Sequence, residues 1–98
     1  MLVSIKGQAT LDIWNGKNTK AARKRLPREL WSVAIRKLTL LKRAETLDDL
    51  KRPPNNRLKP LVKERKGQHS IRINDQYRIA FTWTPEGPAD VEIFDSHR

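Results

Sequence analysis

Residues 67–83 contain two short runs in which apolar and polar side chains alternate, separated by a polar turn. The first run spans residues 69–73 and the second spans residues 77–83. Between them lie Asn74, Asp75 and Gln76, residue types that tolerate tight turns. Alternation with a period of two over runs this short is typical of half-buried strands. The stretch therefore predicts a β-hairpin at the centre of a small sheet.

Side chains two residues apart on a strand share one face of the sheet. The predicted core face of the hairpin carries Ile71, Ile73, Ile79 and Phe81, and the opposite face carries Arg72 and Arg78. If the register of the two strands allows it, the two arginines lie on one surface, which faces either solvent or a functional site.

The residues before the hairpin predict mainly helix. A short opening strand is expected at residues 3–5, a short helix at 8–14, and a loop or frayed helix start over the basic residues 17–25. An amphipathic helix is expected at about residues 27–43, because Leu30, Ala34, Leu38 and Leu41 recur at helical spacing.

The remaining segments predict short elements. Thr46 is a plausible N-cap for a single turn, and residues 53–56 must interrupt regular structure. Residues 58–62 predict an edge strand limited by Pro60, and residues 89–94 predict a final strand. Helices followed by a β-meander indicate one α+β domain over residues 1–98, with helices on one face of a mostly antiparallel sheet.

The charge of the chain is strongly basic and unevenly distributed. There are 21 Lys and Arg residues against 11 Asp and Glu residues, a net charge of +10. Residues 17–43 contain ten basic side chains and one acidic side chain, Glu29. Such a field attracts polyanions, which makes nucleic acid the favoured partner, although a solvated surface or a surface for an acidic protein remains an alternative.

The composition excludes several classes of protein. The chain has no cysteine, which excludes disulfides, cysteine-ligated zinc and thiol catalysis, and fits a cytoplasmic protein. It has no long apolar run, so we expect no signal peptide and no transmembrane helix. No cofactor motif and no metal-ligand spacing is present.

The C-terminal residues suggest a chemistry. Asp95 and His97 lie close together after the last predicted strand, in a chain rich in cations. These residue types suit RNA cleavage, in which a base accepts the ribose 2′-OH proton, an acid protonates the leaving 5′-oxygen, and cations hold the phosphoryl oxygens. Arg72, Arg78 and Lys59 could surround such a phosphate without a metal ion.

Each of these residues also has a structural alternative. A histidine beside the end of the chain could simply be solvated, and His69 could pack beside the apolar residues of its strand or anchor a hydrogen bond. Arg72 and Arg78 could instead pair with Asp75, Asp90 or Glu92 across the sheet.

Four segments resemble the HigB/GraT branch of the RelE/ParE toxin superfamily. They are PPNNRL at residues 53–58, GQHSIRINDQYRI at 67–79, FTW at 81–83 and VEIFDSH at 91–97. The resemblance is specific from Leu47 to His97 and weaker before Pro27. It implies a RelE-like fold, in which two N-terminal helices pack on a twisted, mostly antiparallel sheet of four to five strands.

The resemblance assigns catalysis to three positions. His97 matches the family's terminal histidine, Asp95 matches the acid two residues before it, and Arg78 matches the arginine after the aromatic residue of the fourth strand. Ser96 stands where many members have tyrosine, so an aromatic residue is missing beside the histidine.

The resemblance also implies RNA-binding positions. They are Arg72, Lys59, Arg57 and Lys63. Lys59 falls where some members place a histidine or another polar site residue, and Val62 falls where some members have a site lysine, with Lys63 adjacent.

The function that the resemblance implies is that of a ribosome-dependent mRNA endonuclease without a cofactor. Its implied partners are a cognate helix-turn-helix antitoxin similar to HigA or GraA, the ribosome and mRNA, with a toxin–antitoxin complex on operator DNA. Two alternatives stay open. One is a ParE-like toxin that acts on a protein target, and the other is a basic RNA-binding module without activity.

Overall fold

The fold consists of helices in the N-terminal half and a four-stranded sheet in the C-terminal half. The structure is a computed structural model, and it describes residues 1–97. The helices are α1 (Gln8–Trp14), α2 (Lys20–Arg25) and α3 (Trp31–Arg43). The strands are β1 (Lys59–Pro60), β2 (His69–Arg72), β3 (Tyr77–Thr84) and β4 (Gly87–Asp95). Their order is β1-β2-β3-β4 with antiparallel neighbours, so the predicted α+β class is confirmed.

The central hairpin forms as the alternation predicted. Ile71 pairs with Ile79 and Arg72 pairs with Arg78, so the two arginines share one face of the sheet. Ile71 and Ile79 are completely buried on the other face. The Asn74 side chain closes the turn, since its Oδ1 accepts hydrogen bonds from two following backbone N–H groups at 2.9 and 2.8 Å.

The long amphipathic helix is also confirmed, with a different start. A 3₁₀ turn at Arg28–Leu30 precedes α3, which runs from Trp31 to Arg43. The stripe residues Ala34, Leu38 and Leu41 have no exposed surface. Burial of each leucine contributes about 1.5–3 kcal/mol to stability, which fixes this helix on the sheet.

Two N-terminal expectations need correction. Residues 17–25 include the helix α2, which begins after Thr19, whose Oγ1 accepts a hydrogen bond from Ala22 N at 3.2 Å. The described residues therefore form three α-helices in the N-terminal half rather than two. The expected strand at residues 3–5 is reduced to a single parallel bridge between Ile5 and Val91.

The connections around the sheet edge are short and turn-rich. Thr46 caps the 3₁₀ turn Leu47–Lys51 with a complete capping box, as its position predicted. A second 3₁₀ turn, Pro54–Asn56, interrupts the chain before β1, which is an edge strand of two residues. The last strand begins at Gly87, earlier than predicted, where a Cβ atom would collide with the backbone of Met1. Within residues 1–97, no helix has the length and apolar character needed to span a bilayer.

A buried carboxylate joins the first two helices. Asp12, which is 4% exposed, accepts hydrogen bonds from Gln8 Nε2 at 2.7 Å and from Thr19 Oγ1 at 2.8 Å. These hydrogen bonds, that from Gln8 first, lower the pKa of the Asp12 carboxyl below its ordinary value of 3.8. A lowered pKa means that this carboxylate stabilises the fold above its unfolded pKa, and that the contribution is lost as pH falls through the folded pKa.

We expect acid unfolding to report this contact. Between about pH 5 and about pH 3, the wild type should lose more free energy of unfolding than Asp12→Asn, because the amide does not titrate. Urea unfolding at each pH measures the difference. Parallel loss of stability in both proteins would show that Asp12 does not contribute to the acid dependence.

Candidate functional site

The hairpin turn holds the C-terminal residues against the end of the sheet. Tyr77 pairs with Asp95 where β3 begins and β4 ends. Gln76 Nε2 donates to Asp95 Oδ2 at 2.9 Å, and both the backbone N and the Oγ of Ser96 donate to Gln76 O, at 2.8 and 2.7 Å. The backbone N of His97 donates to Asp95 Oδ1 at 2.9 Å. The turn therefore fixes the backbone from which the exposed side chain of His97 extends.

A groove of about 990 Å³ opens beside this terminus. Helix α2 contributes Lys24 and Arg25, and the 61–65 segment contributes a second wall that includes Lys63. Its floor is formed by the ends of β3 and β4, including Phe94 and Asp95. The structure thus brings two predicted site residues, Lys63 and Asp95, to one groove.

Two arginines bridged by one carboxylate shape this groove. Arg65 places its guanidinium over the Phe94 ring, with 4.2 Å from Cζ to the centroid, and its Nη1 lies 3.1 Å from Glu92 Oε1. Arg25 Nη1 lies 3.3 Å from Glu92 Oε2 and donates to Ile93 O at 2.8 Å. Because Glu92 contacts both arginines, it ties helix α2 and the 61–65 segment to strand β4.

Sequence reasoning did not identify these arginines as groove residues. The available signal was that Glu92 and Phe94 are two residues apart on a strand and so share a face. No pattern in the sequence connects that face with Arg25 or Arg65, because these are 67 and 27 residues from Glu92.

Arg78 lies on the same face of the sheet but is directed away from the groove. It is 7% exposed, its Nε donates to Ser70 Oγ at 2.7 Å, and its Nη2 donates to Ser70 O at 3.3 Å and to Arg57 O. Burial, followed by the charges of Arg72 and Arg57, lowers the pKa of its guanidinium. Arg78 therefore connects the sheet to the backbone of Arg57, which has a left-handed conformation with φ 46°.

Three predicted site residues carry charges that act on one carboxylate of the hairpin turn, that of Asp75. Arg72 Nη2 lies 2.6 Å from Asp75 Oδ1 in the hairpin turn. The pKa of the Asp75 carboxyl is lowered chiefly by the hydrogen bond and charge of Arg72, and to a smaller extent by the charges of Arg57 and His97. The charges of these three residues, Arg57, Arg72 and His97, therefore all act on the turn at the end of the sheet that carries Asp95.

Lys59 lies apart from these residues. It is exposed on the edge strand β1 and borders a separate hollow of about 440 Å³ that also includes His69. The His69 ring stacks on Phe81 with centroids 6.3 Å apart, and within residues 1–97 its Nδ1 has no hydrogen-bond partner. His69 is thus a packing residue at this position. Among the described residues, no three His, Asp or Glu side chains are placed to hold a metal ion.

A buried lysine connects helix α3 to the segment before β1. Lys37 is 6% exposed, and its Nζ donates to Asn56 Oδ1 and, at 3.4 Å, to Asn55 Oδ1. Asn56 is completely buried, and its Nδ2 donates to Leu50 O and Arg52 O at 3.1 and 3.0 Å. Desolvation, followed by the charges of two neighbouring arginines, lowers the pKa of Lys37.

The sequence has clear relatives. Residues 15–97 match the sequence profile of the family described as RelE-like toxin of type II toxin-antitoxin system HigB. Toxin HigB-1 of Vibrio cholerae serotype O1 is 38% identical over 73 residues, which cover 74% of this chain and 76% of that protein. An uncharacterized protein of Haemophilus influenzae is 36% identical over 59 residues, which cover 60% of this chain and 58% of that protein.

Proposed function

Because the chain belongs to the HigB-like family of RelE-like toxins of type II toxin–antitoxin systems, we propose that it is a ribosome-dependent mRNA endonuclease that inhibits translation and growth. The observation that carries the proposal is the contact of His97 with Asp95: the His97 backbone N donates to Asp95, which is held by Gln76 of the hairpin turn and lines a basic groove.

The proposed reaction is attack of a ribose 2′-OH on the adjacent 3′-phosphate. A base accepts the 2′-OH proton, the 2′ oxygen forms a bond to phosphorus, the bond from phosphorus to the leaving 5′-oxygen breaks, and an acid donates a proton to that oxygen. His97 suits proton transfer, because imidazole titrates near neutral pH. Asp95 positions His97, because its Oδ1 accepts a hydrogen bond from the His97 backbone N at 2.9 Å.

Cations near the terminus would hold the charge on the phosphoryl oxygens. We assign this role to Arg57 and Arg72, and the assignment is supported by the charges of Arg57, Arg72 and His97, which all lower the pKa of the Asp75 carboxyl. Lys63 lines the groove, where it would contact the RNA strand. We assign Arg78 the positioning of Arg57, since its guanidinium donates to Arg57 O, and assign Lys59 a contact to RNA farther along the sheet edge.

The family implies a cognate antitoxin as the partner of this protein. We propose that this antitoxin is a helix-turn-helix protein similar to HigA or GraA, and that the two proteins together bind operator DNA. Cleavage on ribosomes places the activity in the cytoplasm, with the ribosome and mRNA as the other partners. The net charge of +10 supports binding to these polyanions.

The test is induced expression in cells without the antitoxin, followed by mapping of mRNA 5′ ends. Two reporter mRNAs that differ only in the presence of a start codon provide the matched control. We expect new 5′ ends within the translated reporter and intact untranslated reporter, because the proposed enzyme cuts only on engaged ribosomes.

Other outcomes would contradict the proposal in different ways. Equal cutting of both reporters would indicate an endonuclease that does not need the ribosome. Growth arrest with intact mRNA and reduced DNA supercoiling would indicate a ParE-like toxin with a protein target. Neither arrest nor cutting would leave a basic RNA-binding module without activity.

A further inference from the structure

A basic hollow lies between helix α3 and the edge of strand β2, apart from the groove beside the C-terminus. Its volume is about 400 Å³. Arg36 and Lys37 enter it from α3, and Arg72 enters it from the end of β2. Leu40 and Pro53 supply apolar walls. The hollow exists because β1 pairs with only two residues of β2 and leaves the end of that edge uncovered.

The cations of this hollow are poorly neutralised by the protein. Throughout residues 1–97, no carboxylate lies within salt-bridge distance of Arg36 or Lys37. The acid that pairs with Arg72 is Asp75, whose side chain is 94% exposed. Two of the three N–H groups of Lys37 are directed at asparagine oxygens, which are neutral acceptors.

The environment of Lys37 favours an anionic ligand in the hollow. Desolvation, then the charges of Arg36 and Arg72, disfavour its ammonium form and lower its pKa. An anion in the hollow would compensate all three cations at once. Arginine can grip a phosphate through two N–H groups, and lysine adds a point charge in a walled site where water screens it less.

The position of the hollow favours a nucleic-acid backbone as the source of that anion. Arg72, at the end of β2, pairs across the sheet with Arg78, which in turn pairs with Phe94 one residue before Asp95. Two strand spacings of about 4.8 Å separate β2 from β4, so the hollow lies about 10 Å across the sheet from the C-terminal site. A single strand that crosses this end of the sheet would reach both places.

We propose that Arg36, Lys37 and Arg72 form a phosphate-binding site for single-stranded RNA, separate from the groove that contains Lys63 and Asp95. The choice of RNA over other polyanions rests on the proposed function. The presence of an anion site rests on the three cations alone. Arg36 and Lys37 would hold the strand beside the scissile phosphate without taking part in the reaction, and Arg72 would be shared between this site and the scissile phosphate.

The test is binding of a short, fluorescently labelled 2′-O-methyl RNA over a series of salt concentrations, measured by anisotropy. This RNA has no free 2′-OH and cannot be cleaved by the proposed reaction, so the result does not depend on activity. Arg36→Gln is compared with Arg43→Gln, which removes the same charge from an exposed position about 10 Å farther along the same helix, outside the hollow.

We expect Arg36→Gln to weaken binding about tenfold and to reduce the slope of log K against log salt by about 0.7, the value for one phosphate contact on a single strand. Arg43→Gln should weaken binding about twofold or less, as expected for loss of a diffuse charge. Thermal unfolding of both variants checks that the fold is retained.

Several results would overturn the proposal. Equal losses in both variants would show a diffuse basic field, and unchanged binding of Arg36→Gln would show that the hollow does not contact RNA. If Arg36→Gln weakened binding only to duplex DNA or only to the antitoxin, the hollow would belong to those partners. If Arg36→Gln weakened RNA binding and the wild-type protein did not cut mRNA, the RNA site would stand and only the proposed cleavage would be rejected.

Discussion

Replacement of His97 by Gln is expected to abolish growth inhibition and mRNA cleavage while the protein remains folded. Loss of a positioned acid or base lowers a reaction rate by about 10²–10⁴-fold. The His97 side chain is exposed, and the contact that fixes the residue comes from its backbone N. The free energy of unfolding should therefore change by less than about 0.5 kcal/mol. Induced growth assays and mapping of mRNA 5′ ends measure the effect.

The other histidine provides the matched control. His69→Gln alters a ring that packs on Phe81, so it should lower stability and leave cleavage by the folded protein largely intact. Undiminished toxicity of His97→Gln would remove His97 from the mechanism. A His97→Gln protein that fails to fold would contradict the exposed position of the side chain.

Asn56→Ala is expected to be the most destabilising single change in the segment before β1. The substitution leaves the ammonium of buried Lys37 without its principal acceptor and leaves the carbonyls of Leu50 and Arg52 without their donor. Each buried unpaired polar group costs about 1–3 kcal/mol, and a charged group costs more. We expect a loss of about 3–5 kcal/mol in the free energy of unfolding, measured by urea denaturation.

A double-mutant cycle identifies the source of this loss. Lys37→Met removes the buried charge and keeps an unbranched side chain only one atom shorter, so Asn56→Ala should cost less free energy in the Lys37→Met background than in the wild type. Asn55→Ala is the control, because Asn55 is exposed and lies 3.4 Å from the ammonium; it should cost less than about 1 kcal/mol. Equal costs of Asn56→Ala in both backgrounds would show that the two side chains act independently.

The elements that the sequence predicted are those whose apolar residues recur with a clear period. The hairpin and helix α3 each bury a regular stripe, with Ile71 and Ile79 in one and Leu38 and Leu41 in the other. Helix α2 was not predicted as a defined helix. It has six residues and buries only Ala22, so no period is visible in its sequence.

The pairing of the two arginines near the candidate site was predictable from the sequence, whereas the burial of Arg78 and of Lys37 was not. Arg72 and Arg78 pair on the face of the sheet opposite Ile71 and Ile79, as the alternation indicated. The burial of Arg78 could not be read from the sequence, because it depends on Ser70 and Arg57, which are 8 and 21 residues away. The ammonium of Lys37 meets Asn56 19 residues farther along the chain, so a buried cation was not expected on that helix.

The direct pairing of Arg72 with Arg78 has a thermodynamic consequence for the protein in cells. Like charges opposite each other on adjacent strands reduce the stability of a sheet. Any anionic partner that binds the folded chain, and not the unfolded one, offsets this repulsion and raises the melting temperature with its own concentration. The stability of the fold would therefore depend on the concentration of such a partner, and the protein without an anionic partner would be the less stable form.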